Sequence, residues 1–305
     1  MRRTMRMMSL ALILAMLMTL TACGGNTAAP AETAAPAAAP AETAAAEAPA
    51  VSTGVEDGIL TVGMECAYAP YNWTQTDDSN GAVPIANVPG AYANGYDVMM
   101  AKQICEANGW QLEVKKLDWD SLVPAVQTGE IDCAIAGQSM TAERDELVDF
   151  AGPYIYASIV CLVQKDSPLA SATGISQLTG TCTSQRGTIW YDTCLPQIKG
   201  ATIQSAADDA GAMLMAVSSG TCDFVCTDMP TAQGAVITYP NLTILDFSGS
   251  SDDFEVSAEE VNIGISVREG NTTLLDAMNT VLNPMTADDF NDLMAQAVAI
   301  QPIEE

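Results

Sequence analysis

Short apolar runs alternate with longer segments in which apolar positions recur every three to four residues, and this alternation predicts an α/β chain. Residues 59–64 and 112–117 read as strands, with a helix over 96–108 between them that Gly109 closes. A second helix over 121–128 stops at Gly129, 131–136 gives a third strand, and Thr141 caps another helix. Farther on, a helix over 205–218 ends at Gly220 ahead of an apolar strand at 222–227. Strands at 242–247 and 261–267, then helices at 272–282 and 288–298, complete the pattern.

The first 55 residues follow another rule. Arg2, Arg3 and Arg6 precede an apolar run over 10–20 that is too short to span a bilayer, which takes ~20 apolar residues. With the small Thr21 and Ala22 it reads as a signal peptide, residues 1–22. Leu20-Thr21-Ala22-Cys23 resembles a bacterial lipobox, so Cys23 is expected to carry the lipid that anchors the chain at the outer face of the cell membrane. Residues 23–55 are nearly all Ala, Pro, Thr and Glu. They contain no aromatic residue and cannot bury enough apolar surface to offset the entropy of ordering, which makes them a tether.

About 250 residues remain, enough for one large domain or two lobes. The net charge of -27, falling to -30 without the leader's three arginines, argues against nucleic acid and anionic lipid as partners of the folded part. Besides Cys23 there are eight cysteines. Several sit in strand patterns as small buried hydrophobes, while Cys182 with Cys194 and Cys222 with Cys226 are local candidates for disulfides. With no histidine and no tight CxxC pair, neither a metal site nor a cofactor is expected.

Two charged residues carry the chemistry. Arg144 stands in the first turn of its predicted helix, where a cation opposes the helix dipole but an arginine beside free N–H groups can grip a carboxylate. The alternative is a surface ion pair with Glu143, Asp145 or Asp149. Asp228 ends an apolar strand, the sheet edge that faces a ligand crevice, and can accept from an ammonium group; it can equally cap the helix that Pro230 begins. Together the two would complement a zwitterion such as an α-amino acid. Tyr68, Tyr71 and Trp119 follow the first two strands and offer aromatic walls.

These residues resemble the bacterial extracellular solute-binding proteins of family 3, the polar amino acid receptors of ABC importers. The resemblance runs from residue 59 to about 285 and is densest from Asp118-Trp119-Asp120-Ser121-Leu122 to Gly129-Glu130-Ile131-Asp132, then through Gly137, Ser139, Thr141, Glu143-Arg144 and Pro153-Tyr154. Gly95-Tyr96-Asp97-Val98 and Gln185, Gly187 and Thr188 extend it. It implies a two-lobed, type II periplasmic-binding-protein-like α/β fold with two hinge strands: lobe 1 over 56–157, lobe 2 over 158–250, and a return to lobe 1 over 251–305. It also implies that Arg144 grips the α-carboxylate with help from Gly137, Ser139 and Thr188. Asp228 would take the α-ammonium, Tyr68 and Trp119 flank the ligand, and Glu65 reaches its side chain. A loop over 74–94, longer than the family's usual one, is expected to cover the cleft mouth.

The expected function is therefore capture of a polar or basic L-amino acid, with lysine, arginine or glutamine foremost, by a monomeric lipoprotein that serves an ABC permease. Two other readings use the same cleft. An enzyme of dehydratase type finds no nucleophile and base at a recognisable spacing, although a lone Glu65 could act as an acid or base. A sensory lipoprotein would differ only in the partner it contacts.

Overall fold

The computed structural model describes residues 55–302, so the expected leader, the expected lipidation at Cys23 and the expected tether through residue 54 lie outside the described residues. The first strand, β1 (Ile59–Met64), buries Leu60, Val62 and Met64. After it come four short strands, β2 (Ala67–Tyr68), β3 (Asn72–Gln75), β4 (Val83–Pro84) and β5 (Tyr92–Asn94), which pair antiparallel in the order β2-β3-β5-β4. Helix α1 (Tyr96–Asn108) starts at Gly95. With φ at +125° and the Tyr71 carbonyl 2.3 Å from where a Cβ would stand, only glycine fits there. Tyr96, Val98, Met100, Ala101 and Ile104 are the buried face of this helix.

Next, β6 (Gln111–Lys116) runs parallel to β1, followed by α2 (Leu122–Thr128), β7 (Cys133–Ser139), the single turn α3 (Ala142–Asp145) and β8 (Asp149–Tyr156). The third strand begins two residues later than its apolar run suggests. Its extent is fixed by pairing, Val62 with Cys133 at one end and Ile263 with Ser139 at the other. The 74–94 loop departs from expectation. It is fastened to the outer side of β6 by an Ile85–Val114 bridge and by paired hydrogen bonds between Asn87 and Lys116 of 2.8 and 2.9 Å, because Ile85 buries itself there.

The chain leaves this sheet between Tyr156 and Ile159 and builds a second one from β9 (Ile159–Gln164), β10 (Gly180–Thr183), β11 (Ala201–Ile203), β12 (Phe224–Asp228) and β13 (Leu242–Leu245), ordered β11-β10-β12-β9-β13. Two helices accompany it, α4 (Ala210–Ser218) and α5 (Met229–Thr238). The pattern suggested that α4 starts at 205, but Asp209 stops it there by accepting the Ala212 N–H at 2.7 Å. The return passes through α6 (Ala258–Val261) to β14 (Asn262–Val267), which inserts antiparallel between β7 and β8 and completes the first sheet as β6-β1-β7-β14-β8. Helices α7 (Thr272–Leu282) and α8 (Ala287–Ile300) then pack on it through Leu274, Met278, Phe290 and Met294.

The eight cysteines of the folded part are buried free thiols, and neither Cys182 with Cys194 nor Cys222 with Cys226 is joined. Strand pairing directs these side chains elsewhere: Cys182 lies against the Thr202 carbonyl on β11, and Cys226 faces Cys161 on β9.

Candidate functional site

The C-terminal ends of β1, β6 and β7 face the second sheet, and the side chains that follow them meet groups from β10, β12 and their loops. Glu65, one residue past β1, is buried and receives the Gln185 amide at 3.2 Å on both carboxylate oxygens. Burial pushes its acid up to about 7. The Gln185 hydrogen bond and Lys116 work against that rise, and Asp209 adds to it.

Just beyond, Tyr68 and Tyr71 stack with ring centroids 4.7 Å apart. Their hydroxyls both donate to Asp228 Oδ2, Tyr71 at 2.9 Å and Tyr68 at 3.2 Å. Asp228 Oδ1 meanwhile accepts the Thr231 N–H at 2.9 Å and caps α5. The helix-cap reading of Asp228 thus holds at Oδ1, while Oδ2 is taken up by the two phenols. Burial raises its acid, and the hydrogen bonds from Thr231 and the two tyrosines oppose that rise.

Gly137, inside β7, has φ at +65°, and a Cβ there would lie 2.5 Å from Tyr68 Cε1. Its N–H does not point to a free position. It donates to the Tyr154 hydroxyl at 2.9 Å, which donates in turn to Asp97 at 2.7 Å; Asn72 holds the other Asp97 oxygen at 2.7 Å. Gly137 therefore contributes clearance under Tyr68, and its N–H is engaged by the Tyr154 hydroxyl rather than left for a ligand carboxylate. Asp97, wholly buried, has its acid pushed up to about 7 by burial, against the two hydrogen bonds.

Arg144 lies one turn past Thr141, whose hydroxyl caps the backbone N–H of Arg144 itself at 3.3 Å. Its guanidinium spans the seam: Nη1 donates to the Ser139 carbonyl and Nη2 to the Gly187 carbonyl, each at 2.8 Å, and the guanidinium carbon sits 5.3 Å from the centre of the Trp119 ring. Among the described residues no carboxylate forms an ion pair with it, so the surface-pair reading fails. Burial lowers its basicity to about 10, while Glu143 and Asp192 hold it up. Gly187 also accepts from Trp119 Nε1 at 3.4 Å, and Thr188 donates to the Gln185 carbonyl at 2.7 Å.

Two cavities flank this stack. One of about 330 Å³ is lined by Thr141, Arg144, Gly187, Thr188 and Asp192. The other, about 610 Å³, is lined by Glu65, Lys116, Asp118, Trp119 and Asp209. Arg144 and Thr188 thus share one space, Glu65 and Trp119 the other. Tyr68, Gly137, Ser139 and Asp228 line neither and form the floor between the sheets. No residue of 74–94 lines either cavity. Tyr71, expected only as an aromatic wall, donates to Asp228, and Gln185, expected only as part of the resemblance, donates to Glu65. The signal for Tyr71 was its spacing from Tyr68, and for Gln185 its place ahead of Gly187 and Thr188. Among the described residues no three His, Cys, Asp or Glu side chains are placed to hold a metal ion.

A family model described as "Bacterial extracellular solute-binding proteins, family 3" matches residues 60–297. A probable histidine-binding protein of Neisseria gonorrhoeae is 25% identical over 241 residues, covering 78% of this chain and 80% of its own. The crystal structure of the substrate binding protein of an amino acid ABC transporter is 25% identical with a TM-score of 0.64, over 78% of this chain and 98% of its own. An ancestral arginine-binding protein bound to arginine is 29% identical with a TM-score of 0.60, over 78% of this chain and 97% of its own.

Proposed function

The chain belongs to the bacterial extracellular solute-binding proteins of family 3, and we propose that it captures a polar or basic L-amino acid between its two sheets and delivers it to an ABC importer. The observation that carries this reading is Arg144, held at the seam by two carbonyls and an aromatic face, with donors left over and, among the described residues, no carboxylate paired with it. A guanidinium has five N–H donors, and two are committed. The rest suit a ligand's α-carboxylate in the space shared with Thr188. Its α-ammonium is assigned to Asp228 Oδ2, which lines neither cavity here and which the ligand reaches by displacing the phenols as the sheets open.

Glu65 takes the ligand's far end in this reading, with Tyr68 and Trp119 flanking the stem. A buried carboxylate already receiving an amide from Gln185 suits a cationic or amide side chain, so arginine, lysine and glutamine come first. In support, an arginine-binding relative is similar over most of this chain. We divide the folded part at 157/158 and 250/251, with β8 and β14 as the hinge strands of a shell that closes over the ligand. Residues 1–22 direct export, Cys23 holds the lipid, and the tether, about 30 residues long and reaching on the order of 30 Å as a coil, keeps a monomeric receptor near its permease.

Binding rather than catalysis is the task assigned. A thermal-shift screen of the twenty amino acids followed by calorimetry tests it. Arginine, lysine or glutamine should stabilise the protein, and Arg144→Ala should abolish binding while the far-ultraviolet dichroism stays unchanged. Near-normal affinity in that variant, or stabilisation by acidic amino acids alone, would overturn the site assignment.

A further inference from the structure

The second sheet encloses five of the eight thiols, Cys161, Cys182, Cys194, Cys222 and Cys226, all buried. Two of them face each other. Cys161 on β9 and Cys226 on β12 are opposite partners in the antiparallel register, with sulfurs 3.4 Å apart. The backbone shows which kind of opposite pair this is. The N–H and the carbonyl of Cys226 both turn toward Ser184, whose hydroxyl accepts from the first at 3.1 Å and donates to the second at 2.8 Å. Neither group is therefore directed at β9. In an antiparallel ladder this marks a non-hydrogen-bonded pair, in which Cα atoms stand ~4.5 Å apart and side chains come closest. That spacing lies within the range of about 4.4–6.8 Å over which two cysteines can be bridged.

We propose that Cys161 and Cys226 form a cross-strand disulfide in the exported protein, made while the chain folds. Extracellular proteins work where such bonds form and persist. The oxidant is a disulfide, either of a thiol–disulfide exchange protein or of a small molecule. One cysteine attacks it as thiolate to give a mixed disulfide and expel one thiol; the other cysteine then attacks the mixed disulfide, joins the two sulfurs and expels the second thiol. The chain loses two electrons and two protons, and the oxidant becomes two thiols. The order of events follows from burial. In the folded chain both sulfurs are shielded from solvent, and the Cys226 thiol is held in its protonated form by its surroundings, so exchange belongs to the open chain. Once made, the bond ties β9, the strand that enters the second sheet, to β12, which carries Asp228 two residues beyond Cys226.

The full chain, refolded from denaturant in a glutathione redox buffer and separately under reductant, tests this on the wild-type protein. After alkylation and peptide mapping, the oxidised sample should contain a Cys161–Cys226 linked peptide and a chain lighter by about 2 Da, from the loss of two hydrogens. Its thermal midpoint should exceed that of the reduced sample by roughly 5–15 °C, as expected for a cross-link closing a long loop. Cys161→Ala, where it folds, should remove the redox dependence of the midpoint. Full alkylation of both cysteines after oxidative refolding, or linkage of either to Cys182, Cys194 or Cys222 instead, would overturn the proposal. The mapping does not depend on ligand, so its outcome is independent of the amino-acid reading.

Discussion

A carboxylate with 5% of its surface exposed and an amide as its main partner ties pH to both stability and binding at Glu65. Folding raises its acid from an ordinary 4.5 to about 7, so between those values the folded state binds more protons than the unfolded one. The favourable share is full below about pH 4.5 and is lost as pH rises through 7, by roughly 3 kcal/mol at most. Glu65→Gln should therefore flatten the fall of the thermal midpoint between pH 5 and 7; an unchanged slope would place the effect elsewhere, with Asp97 the next candidate. Arginine should release protons on binding near neutral pH, because its side chain favours ionised Glu65, and glutamine should release fewer. Calorimetry in buffers of different ionisation enthalpy reads that difference. At Gly137 the conflict is steric. Gly137→Ala would strain a left-handed residue and press on a ring stacked against Tyr71, at a cost of about 1–3 kcal/mol. Urea unfolding measures that cost.

Among the elements, α8 shows how local chemistry sets a boundary. Thr286 accepts the Asp289 N–H at 3.3 Å, and the Asp289 carboxylate reaches back to the Thr286 N–H at 2.7 Å, a reciprocal cap that fixes where the last helix starts. Thr286→Ala should cost about 1 kcal/mol, a fall of roughly 2–4 °C in thermal midpoint for a domain of this size. Calorimetry checks it. Where sequence carried a period or a stop signal, the element was legible: α1 with Gly95 before it and Gly109 after it, α2 ended by Gly129, and β12 as a wholly buried run. The small sheet of β2 to β5 was not, because strands of two to four residues have no period to read. β8 escaped for a different reason. Its burial follows no alternation, since it packs on β14 through a register shift and carries Gly152-Pro153 in mid-strand.

For the whole molecule the dominant property is charge. At -27, the chain attracts cations over the distance that salt leaves unscreened, about 10 Å at 0.1 M. Association of arginine should slow as ionic strength rises, while that of zwitterionic glutamine should change little. Stopped-flow fluorescence of the tryptophans would separate the two, and equal salt dependence would count against a steering field. Either ligand at 100 times its Kd should stabilise the folded state by about 2.7 kcal/mol.

By itself the sequence determined the α/β class, the order of the long helices and of the strongly patterned strands, the family and the residue types at the seam. Periodicity, caps and short motifs are local, and the physics that reads them acts within a few residues. What only the tertiary structure decided is how groups far apart in the chain share their hydrogen bonds: that Asp228 divides its two oxygens between a helix cap and two tyrosines, that Gly137 gives its N–H to Tyr154, that the 74–94 loop clings to β6, and that Cys226 faces Cys161. Each of these is a competition for a partner, and burial settles it only after the sheets have brought the competitors together.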